Sequence, residues 1–384
     1  DVDACRAFAA RFQQITGPAM AKSVEDTAFY RQARLLCRNE VGADPARLAV
    51  SPGEVHALNA ERARSWPLGM TTTSTHDTKR GEDAAARIAA ISEVPTRWRR
   101  AIASWSHLAE ELKTFVGAEL APSRADEYAL YQTILGAWPF GWDGKSGRDD
   151  LAARVVATTM KAAKEAKVHT SWTNPNAEYD AAVERFVRGL FASEGFMEDM
   201  RRFAERTERT AIVKALSQCA IRMTAPGVPD TYQGSERWNQ SMVDPDNRRP
   251  VDFAAAARIF GRFREAGHDL GGFTRGLLAD APSGAIKMWL THRALLLRQS
   301  RPALFLRGRY DALGAELAAG SLFAFARTFE SERCVTLAPL LVDALTEDGT
   351  RFPVGDAWGD ARVEIGRGRY RDALTGRVLE AAGD

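Results

Sequence analysis

The stretch MTTTSTHDTKR, residues 70–80, decides the fold class of this chain of 384 residues. Its first half is rich in β-branched residues, so we expect a β-strand over residues 70–75. A polar cluster follows directly. Catalytic side chains of barrel enzymes lie at the carboxyl ends of parallel strands. The pattern therefore predicts a buried parallel strand with Asp77 at its end, facing an open cleft.

Short apolar segments alternate with helical patterns on both sides of this stretch. Further strands are expected at residues 19–21 and 221–224, and short strands separated by Gly and Asp turns follow from about residue 302. Helices are expected at residues 3–15, 27–38, 53–65, 252–266 and 284–299 and over most of 81–219. The alternation predicts a parallel α/β sheet or part of a barrel, since about three strands are too few to close eight. A small β module is expected at the end of the chain.

The composition is that of an ordinary globular protein, with 45% hydrophobic and 27% charged residues. Lys and Arg total 52 against 50 Asp and Glu, a net charge of +2, which gives no reason to expect a nucleic-acid or membrane partner. The apolar runs are too short to span a bilayer. The four cysteines are widely spaced, which predicts reduced thiols in the cytoplasm. No phosphate loop, dinucleotide motif or metal-ligand spacing is present, so neither a cofactor nor a metal is expected.

Two polar clusters carry candidate chemistry. A carboxylate at Asp77 is suited to stabilise positive charge on a sugar ring, and His76 to donate a hydrogen bond to a sugar hydroxyl. The alternative is a strand-to-helix turn in which Asp77 or Thr75 caps the helix. In the second cluster, KSVEDTAFYR at residues 22–31, the acidic residues either contact sugar hydroxyls or favour a helix N-terminus through the helix dipole.

Two loops complete the set of candidates. The segment HTSWTNPN, residues 169–176, places a Trp among amide side chains, which suits a sugar ring. The alternative is an interhelical loop with one buried Trp. The segment DPDNRRPVD, residues 244–252, follows the loop of residues 226–236 and is either ligand-binding or an Arg–carboxylate network.

Taken together, these segments resemble the maltooligosyl trehalose synthase family of the α-amylase superfamily. The resemblance rests on residues 22–31, NEVG at 39–42, STHDTKR at 74–80, 169–176 and 244–252, and it extends in the correct order over about 17–252. It implies the C-terminal part of a (β/α)8 barrel with a large helical insertion, followed by a small all-β C-terminal domain. The expected divisions are 1–80 with barrel strands 6 and 7, 81–219 as the helical insertion, 220–301 with strand 8 and closing helices, and 302–384 as the β domain.

The resemblance also implies an activity, intramolecular transglycosylation. The reducing-end α-1,4 bond of a maltooligosaccharide becomes an α,α-1,1 bond, with Asp77 as the third carboxylate of the catalytic site. His76 is expected to hydrogen-bond the same sugar. The remaining binding candidates are Lys79 and Arg80 on the acceptor side, then Glu25, Asp26, Tyr30, Trp172, Asn176 and Arg249.

The family's nucleophile and acid follow barrel strands 4 and 5, neither of which is expected in this chain. The resemblance therefore implies a partner, the N-terminal half of the same enzyme. One departure is Ser23, where the family often has Gly. Alternatives are another α-glucan-active hydrolase or transglycosylase, and a non-catalytic glucan-binding module.

Overall fold

The computed structural model describes residues 1–47, 49–316 and 321–382, and helices dominate it. The helices are α1 Val2–Met20, α2 Phe29–Arg31, α3 Pro52–Ser65, α4 Glu82–Ala89, α5 Pro95–Leu108, α6 Arg124–Ala137, α7 Arg148–Ala166, α8 Ala177–Ala192, α9 Glu194–Thr224, α10 Phe253–Arg262, α11 Leu270–Ala279, α12 Ala285–Ser300 and α13 Pro302–Arg307. The strands are β1 Met70–Thr71, β2 Thr114–Val116, β3 Glu119–Ala121, β4 Val228–Pro229, β5 Arg309–Ala312, β6 Ala315–Glu316, β7 Ser321–Phe329, β8 Glu332–Leu341, β9 Arg362–Val363, β10 Gly368–Arg371 and β11 Val378–Ala381. None of the helices in this described part combines the length and apolar character needed to cross a membrane.

Strands β1 and β4 form a short parallel pair. Met70 of β1 pairs with Val228 of β4, and Thr71 pairs with Pro229. The predicted parallel strand is therefore present, but it stops at Thr71 and is not buried, since Met70 is 74% exposed. Pairing ends there because the hydroxyl of Thr72 donates to the Ser74 carbonyl at 2.7 Å, which turns the chain into a loop.

The strand predicted at residues 19–21 is helical instead. Helix α1 continues through Pro18 to Met20 and passes into a π-helical segment, Ala21–Ala28. No residue of α1 is buried. A helix satisfies its backbone groups within the segment, whereas a strand needs a neighbour. No such neighbour lies beside these residues in the described part of the chain. The helix predicted over 27–38 likewise ends early, at Arg31.

Two other predicted elements differ from the structure. Residues 221–224, predicted as a strand, form the last turn of α9, and β4 begins only at Val228. The bend of Ala225-Pro226-Gly227 separates them, with Gly227 at φ 114°. Within residues 81–219, expected to be mostly helical, α5 ends at Leu108 and an antiparallel hairpin of β2 and β3 follows.

Two hydrophobic cores lie along α9, which is 31 residues long. The first is built by α5 to α9 around Trp105 and includes Phe196 and Met200 of α9. The second is built by α9, α11 and α12 around Trp289 and includes Ile212 of α9. Farther along the same helix, Met223 packs against Leu290. Helix α9 therefore contributes side chains to both cores, and β4 follows it after a short bend.

The C-terminal part begins with the short helix α13 and is formed mainly of strands from Arg309 onward. Strands β5, β7 and β8 form an antiparallel sheet, and β10 with β11 forms a hairpin. The sheet contacts the helices: the His56 ring of α3 lies 2.7 Å from the Tyr310 hydroxyl through Nδ1. The Thr336 hydroxyl donates to that of Thr224 at 2.8 Å.

A buried charge cluster connects α4 to α12. The Lys287 ammonium is fully buried and contacts the carboxylates of Glu82 at 2.5 Å and Asp83 at 2.6 Å. Arg222 of α9 lies 3.8 Å from Glu82. Burial lowers the pKa of Lys287, but the two carboxylates outweigh that effect and raise it. Burial also raises the pKa of Asp83, to about 6, although the Lys287 charge opposes the rise.

Replacing Lys287 with Met should destabilise the full-length protein by about 3–5 kcal/mol, because two carboxylates lose their buried counter-ion. The urea midpoint, followed by circular dichroism, should fall accordingly. The exposed Lys145 has no ion pair among the described residues, so Lys145→Met serves as the control and should stay within about 0.5 kcal/mol. Equal midpoints for the two variants would contradict the role of the cluster.

Candidate functional site

The polar residues predicted after β1 lie on a loop that is braced at both ends. The Thr78 hydroxyl donates to the Thr75 carbonyl at 2.9 Å, and the Asp77 amide donates to the Thr75 hydroxyl at 3.1 Å. At the far end, the Glu82 amide donates to the Ser74 hydroxyl at 3.0 Å. Gly81 is the N-cap of α4, so neither Thr75 nor Asp77 caps this helix. The capping role in the alternative interpretation is therefore wrong, but the strand-to-helix turn of that alternative is present.

His76 and Asp77 project from this loop into solvent. His76 Nε2 lies 3.4 Å from Asp77 Oδ2, and the side chains are 64% and 69% exposed. Asp77 lies six residues beyond the end of β1, so the expectation that it directly ends a buried strand is wrong. A cavity of about 610 Å³ lies elsewhere, between α3, α4, α9 and β8. Neither residue lines it.

Lys79, Asp26 and Tyr30 come together beside the loop. The nearly buried Lys79 ammonium donates to Asp26 at 2.9 Å and lies 5.7 Å from the centre of the Tyr30 ring. Lys22 donates to the other oxygen of Asp26. Burial favours the neutral form of Asp26, but its hydrogen bonds with Lys22 and Lys79 outweigh burial and lower the pKa. The Tyr30 hydroxyl is buried with no hydrogen-bond partner among the described residues, and burial raises its pKa.

The charge of Asp77 reaches this group. The hydrogen bond and charge of Asp26 raise the pKa of Lys22, and the charges of Glu165 and Asp77 add to the rise. The loop that follows β1 and the π-helical segment Ala21–Ala28 therefore lie side by side, joined by the contact of Lys79 with Asp26. Sequence patterns alone did not place these two segments together.

Arg80 and Glu25 make contacts within the fold. The Arg80 guanidinium donates to the Leu36 and Asn39 carbonyls, the second at 3.1 Å, and burial lowers its pKa. Glu40 lies opposite and accepts from the Lys79 amide at 2.8 and 3.0 Å. Burial raises the pKa of Glu40. Glu25 accepts a 3.4 Å hydrogen bond from the Gly42 amide.

The segment of residues 244–250 lies against the loop from the other side. Asp246 accepts two hydrogen bonds from Arg154 of α7, at 2.7 and 2.9 Å. These bonds, against the opposing effect of burial, lower the pKa of Asp246. The guanidinium of Arg249 is half exposed and lies 3.7 Å from Asp246. An Arg–carboxylate network is present here, as one of the two interpretations predicted.

Trp172 and Asn176 lie on the loop between α7 and α8. Trp172 is 59% exposed, with its Nε1 donating to Glu165 at 3.0 Å and the Lys164 ammonium 4.9 Å from its ring centre. The interpretation of Trp172 as a buried loop residue is therefore wrong. Asn176 is the N-cap of α8, and its side-chain oxygen accepts from the Tyr179 amide at 3.1 Å.

Sequence reasoning missed two residues that hold the loop. Asn247 donates to the His76 carbonyl at 3.0 Å, and Glu40 accepts from the Lys79 amide at 2.8 Å. Both lie in the segments on which the resemblance rests, but no residue-type signal separates them from their neighbours. No group of three or more His, Cys, Asp or Glu residues suited to a metal ion occurs within residues 1–47, 49–316 and 321–382.

Comparisons with known proteins identify relatives along nearly the whole chain. No protein-family model matches. Two curated proteins from Mycobacterium tuberculosis, strains CDC 1551 / Oshkosh and H37Rv, are each 36% identical over 375 residues and named putative maltooligosyl trehalose synthase. The match covers 96% of this chain but only 42% of each relative.

Solved structures similar to this chain carry the same family name as the curated relatives. Maltooligosyltrehalose synthase from Arthrobacter ramosus is 36% identical with a TM-score of 0.80, over 98% of this chain and 44% of that one. A hypothetical maltooligosyl trehalose synthase from Sulfolobus tokodaii is 30% identical with a TM-score of 0.75, over 96% and 44% of the two chains. The chain thus shares its fold with these proteins over less than half of their length.

Proposed function

Because the chain belongs, over the length that it spans, to the maltooligosyl trehalose synthase family, we propose that it is part of an enzyme that forms maltooligosyl trehalose. The reaction converts the reducing-end α-1,4 bond of a maltooligosaccharide into an α,α-1,1 bond by intramolecular transfer. The observation that carries the proposal is the braced loop after the parallel pair, which presents His76 beside Asp77.

In this proposal Asp77 binds the hydroxyls of the sugar being cleaved and favours its distorted form, with His76 hydrogen-bonding the same sugar. The partly exposed Asp26 carboxylate faces the acceptor glucose, while the nearly buried Lys79 and Tyr30 hold it and shape the acceptor side. Trp172 and Arg249 are exposed enough to contact the glucan. Arg80, Glu25 and Asn176 make contacts within the fold, so their contribution to binding is through the shape of the site.

The division of the chain follows the same proposal. Strands β1 and β4 correspond to barrel strands 7 and 8, and α5 to α8 belong to a helical insertion at 81–219. Residues 1–80 and 220–301 belong to the barrel, and 302–384 form the C-terminal β domain. The parallel register of β1 with β4 supports this assignment.

The remaining carboxylates are proposed to lie in the other part of the relatives' length. A retaining mechanism needs a nucleophile and an acid about 5–5.5 Å apart. The partner is the N-terminal half of the same enzyme, and an exposed apolar surface supports its docking here. Phe8, Phe12 and Ile15 of α1 are all more than half exposed, as are residues beside β1, namely Trp66, Leu68 and Met70. We place the enzyme in the cytoplasm because all four cysteines are free thiols.

The experiment is product analysis of the full-length protein on maltopentaose. The expected result is a loss of reducing ends without release of free sugar, together with an α,α-1,1 signal by NMR. A net gain of reducing ends would identify a hydrolase instead. Unchanged substrate, with glucan binding retained, would favour a non-catalytic binding module.

A further inference from the structure

One buried amide holds the backbone that carries His76 and Asp77. The Asn247 side chain is 7% exposed, and its Nδ2 donates to the His76 carbonyl at 3.0 Å and to the Thr75 carbonyl at 3.3 Å. Its Oδ1 is buried and accepts no hydrogen bond from the described residues. The amide is thus oriented by the two carbonyls alone.

Asn247 is itself fixed by its neighbours. The Tyr232 hydroxyl donates to the Asn247 carbonyl at 3.2 Å. The preceding residue, Asp246, is bound by two hydrogen bonds from Arg154 and accepts from the Met242 amide at 2.7 Å. The donor therefore has a fixed position relative to α7.

Fixing these two carbonyls fixes the two peptide planes around His76. The first plane joins Thr75 to His76, and the second joins His76 to Asp77. Because each peptide unit is planar, an oxygen held in place also sets the position of the following amide nitrogen. The directions in which the His76 and Asp77 side chains leave the backbone follow from these planes.

We propose that Asn247 is a positioning residue for His76 and Asp77. It acts through the loop backbone and does not touch the substrate. This inference rests on the proposed function, because it assigns Asn247 to the same transfer reaction.

The test compares Asn247→Ala and Asn247→Asp with wild type in the full-length enzyme. Both variants remove the donor, and the Asp variant keeps the size. We expect kcat to fall about 10²-fold per folded molecule, as for a displacement of about 1 Å, with KM changed by less than about threefold. Hydrogen exchange of the amides of residues 75–79 should become faster, because the loop loses the two hydrogen bonds from Asn247.

Asn59→Ala is the matched control. Asn59 is 4% exposed, donates its amide to the Tyr310 hydroxyl at 3.4 Å and accepts from Arg62 at 2.9 Å, and it makes no hydrogen bond to residues 74–80 of the described chain. Its loss should lower the melting temperature while leaving kcat and the exchange of residues 75–79 unchanged. If Asn247→Ala behaves like this control, the positioning role is wrong.

The exchange measurement separates this inference from the proposed function. If the wild-type protein forms no trehalose-ended product, the proposed function fails. The exchange rates then test only whether Asn247 holds the loop. Faster exchange in Asn247→Ala supports that role, and unchanged exchange overturns it.

Discussion

Replacing Asp77 with Asn should lower kcat of the full-length enzyme about 10²–10³-fold while the protein stays folded. Removing one preorganised group next to developing charge costs about 3–4 kcal/mol, by analogy with oxyanion-hole deletions. The fold should survive because Asp77 is 69% exposed, and its only described ion pair is a 3.4 Å contact with His76. Exposed pairs of this kind contribute at most about 1 kcal/mol.

Steady-state kinetics on maltopentaose measures the effect, and thermal unfolding checks the fold. Asp348→Asn is the matched control, because Asp348 is 71% exposed and pairs with Arg97 and Arg206 far along the chain. Both variants should melt close to wild type, and only Asp77→Asn should lose activity. Turnover near the wild-type value in Asp77→Asn would remove Asp77 from the catalytic site.

The second large effect is a complete loss: residues 1–384 expressed alone should show no transglycosylation. The proposed nucleophile and acid lie in the part of the enzyme outside this chain. The exposed apolar face of α1 and the edge of β1 that has no partner strand among the described residues also make the isolated chain prone to association. Adding the remaining part of the protein, made separately, should restore activity if the halves associate.

Alkylation of Cys5 reports that association. Cys5 lies on the same face of α1 as Phe8 and Phe12 and is exposed in this chain. It should react rapidly in the isolated chain and slowly in the full-length protein. Cys219 is the internal control, because it is buried and burial raises its pKa, so it should resist alkylation in both. A folded, isolated chain that converts maltopentaose would overturn this assignment.

The sequence predicted helices and strands most accurately where the spacing of apolar residues agrees with the packing in the structure. The helices within residues 81–219 and the strands β7 and β8 follow their periodicity, because they bury side chains against neighbours within the chain. The segment at residues 19–21 differs because a strand depends on a partner strand, and the described part of the chain supplies none beside it. Residues 221–224 differ because the helical pattern of α9 continues through Met223, which is buried.

The candidate site was predictable in residue type but not in geometry. The pattern STHDTKR marks the loop, yet it does not show that Thr75 and Thr78 close it into a turn with Asp77 in solvent. The inward direction of Arg80 also depends on the carbonyls of residues 36 and 39, which are about 40 positions away. Long-range contacts of this kind leave no local trace in a single sequence.

Helix α9 also restricts where residues can be inserted into the chain or deleted from it. At about 1.5 Å per residue its 31 residues extend about 46 Å, and they carry both Phe196 in one core and Met223 beside Leu290. An inserted or deleted codon within it would turn everything beyond that point by about 100° and move one set of buried side chains out of its core. Surface loops tolerate such events. Helix α9 is therefore a segment in which residues can be exchanged but not added or removed.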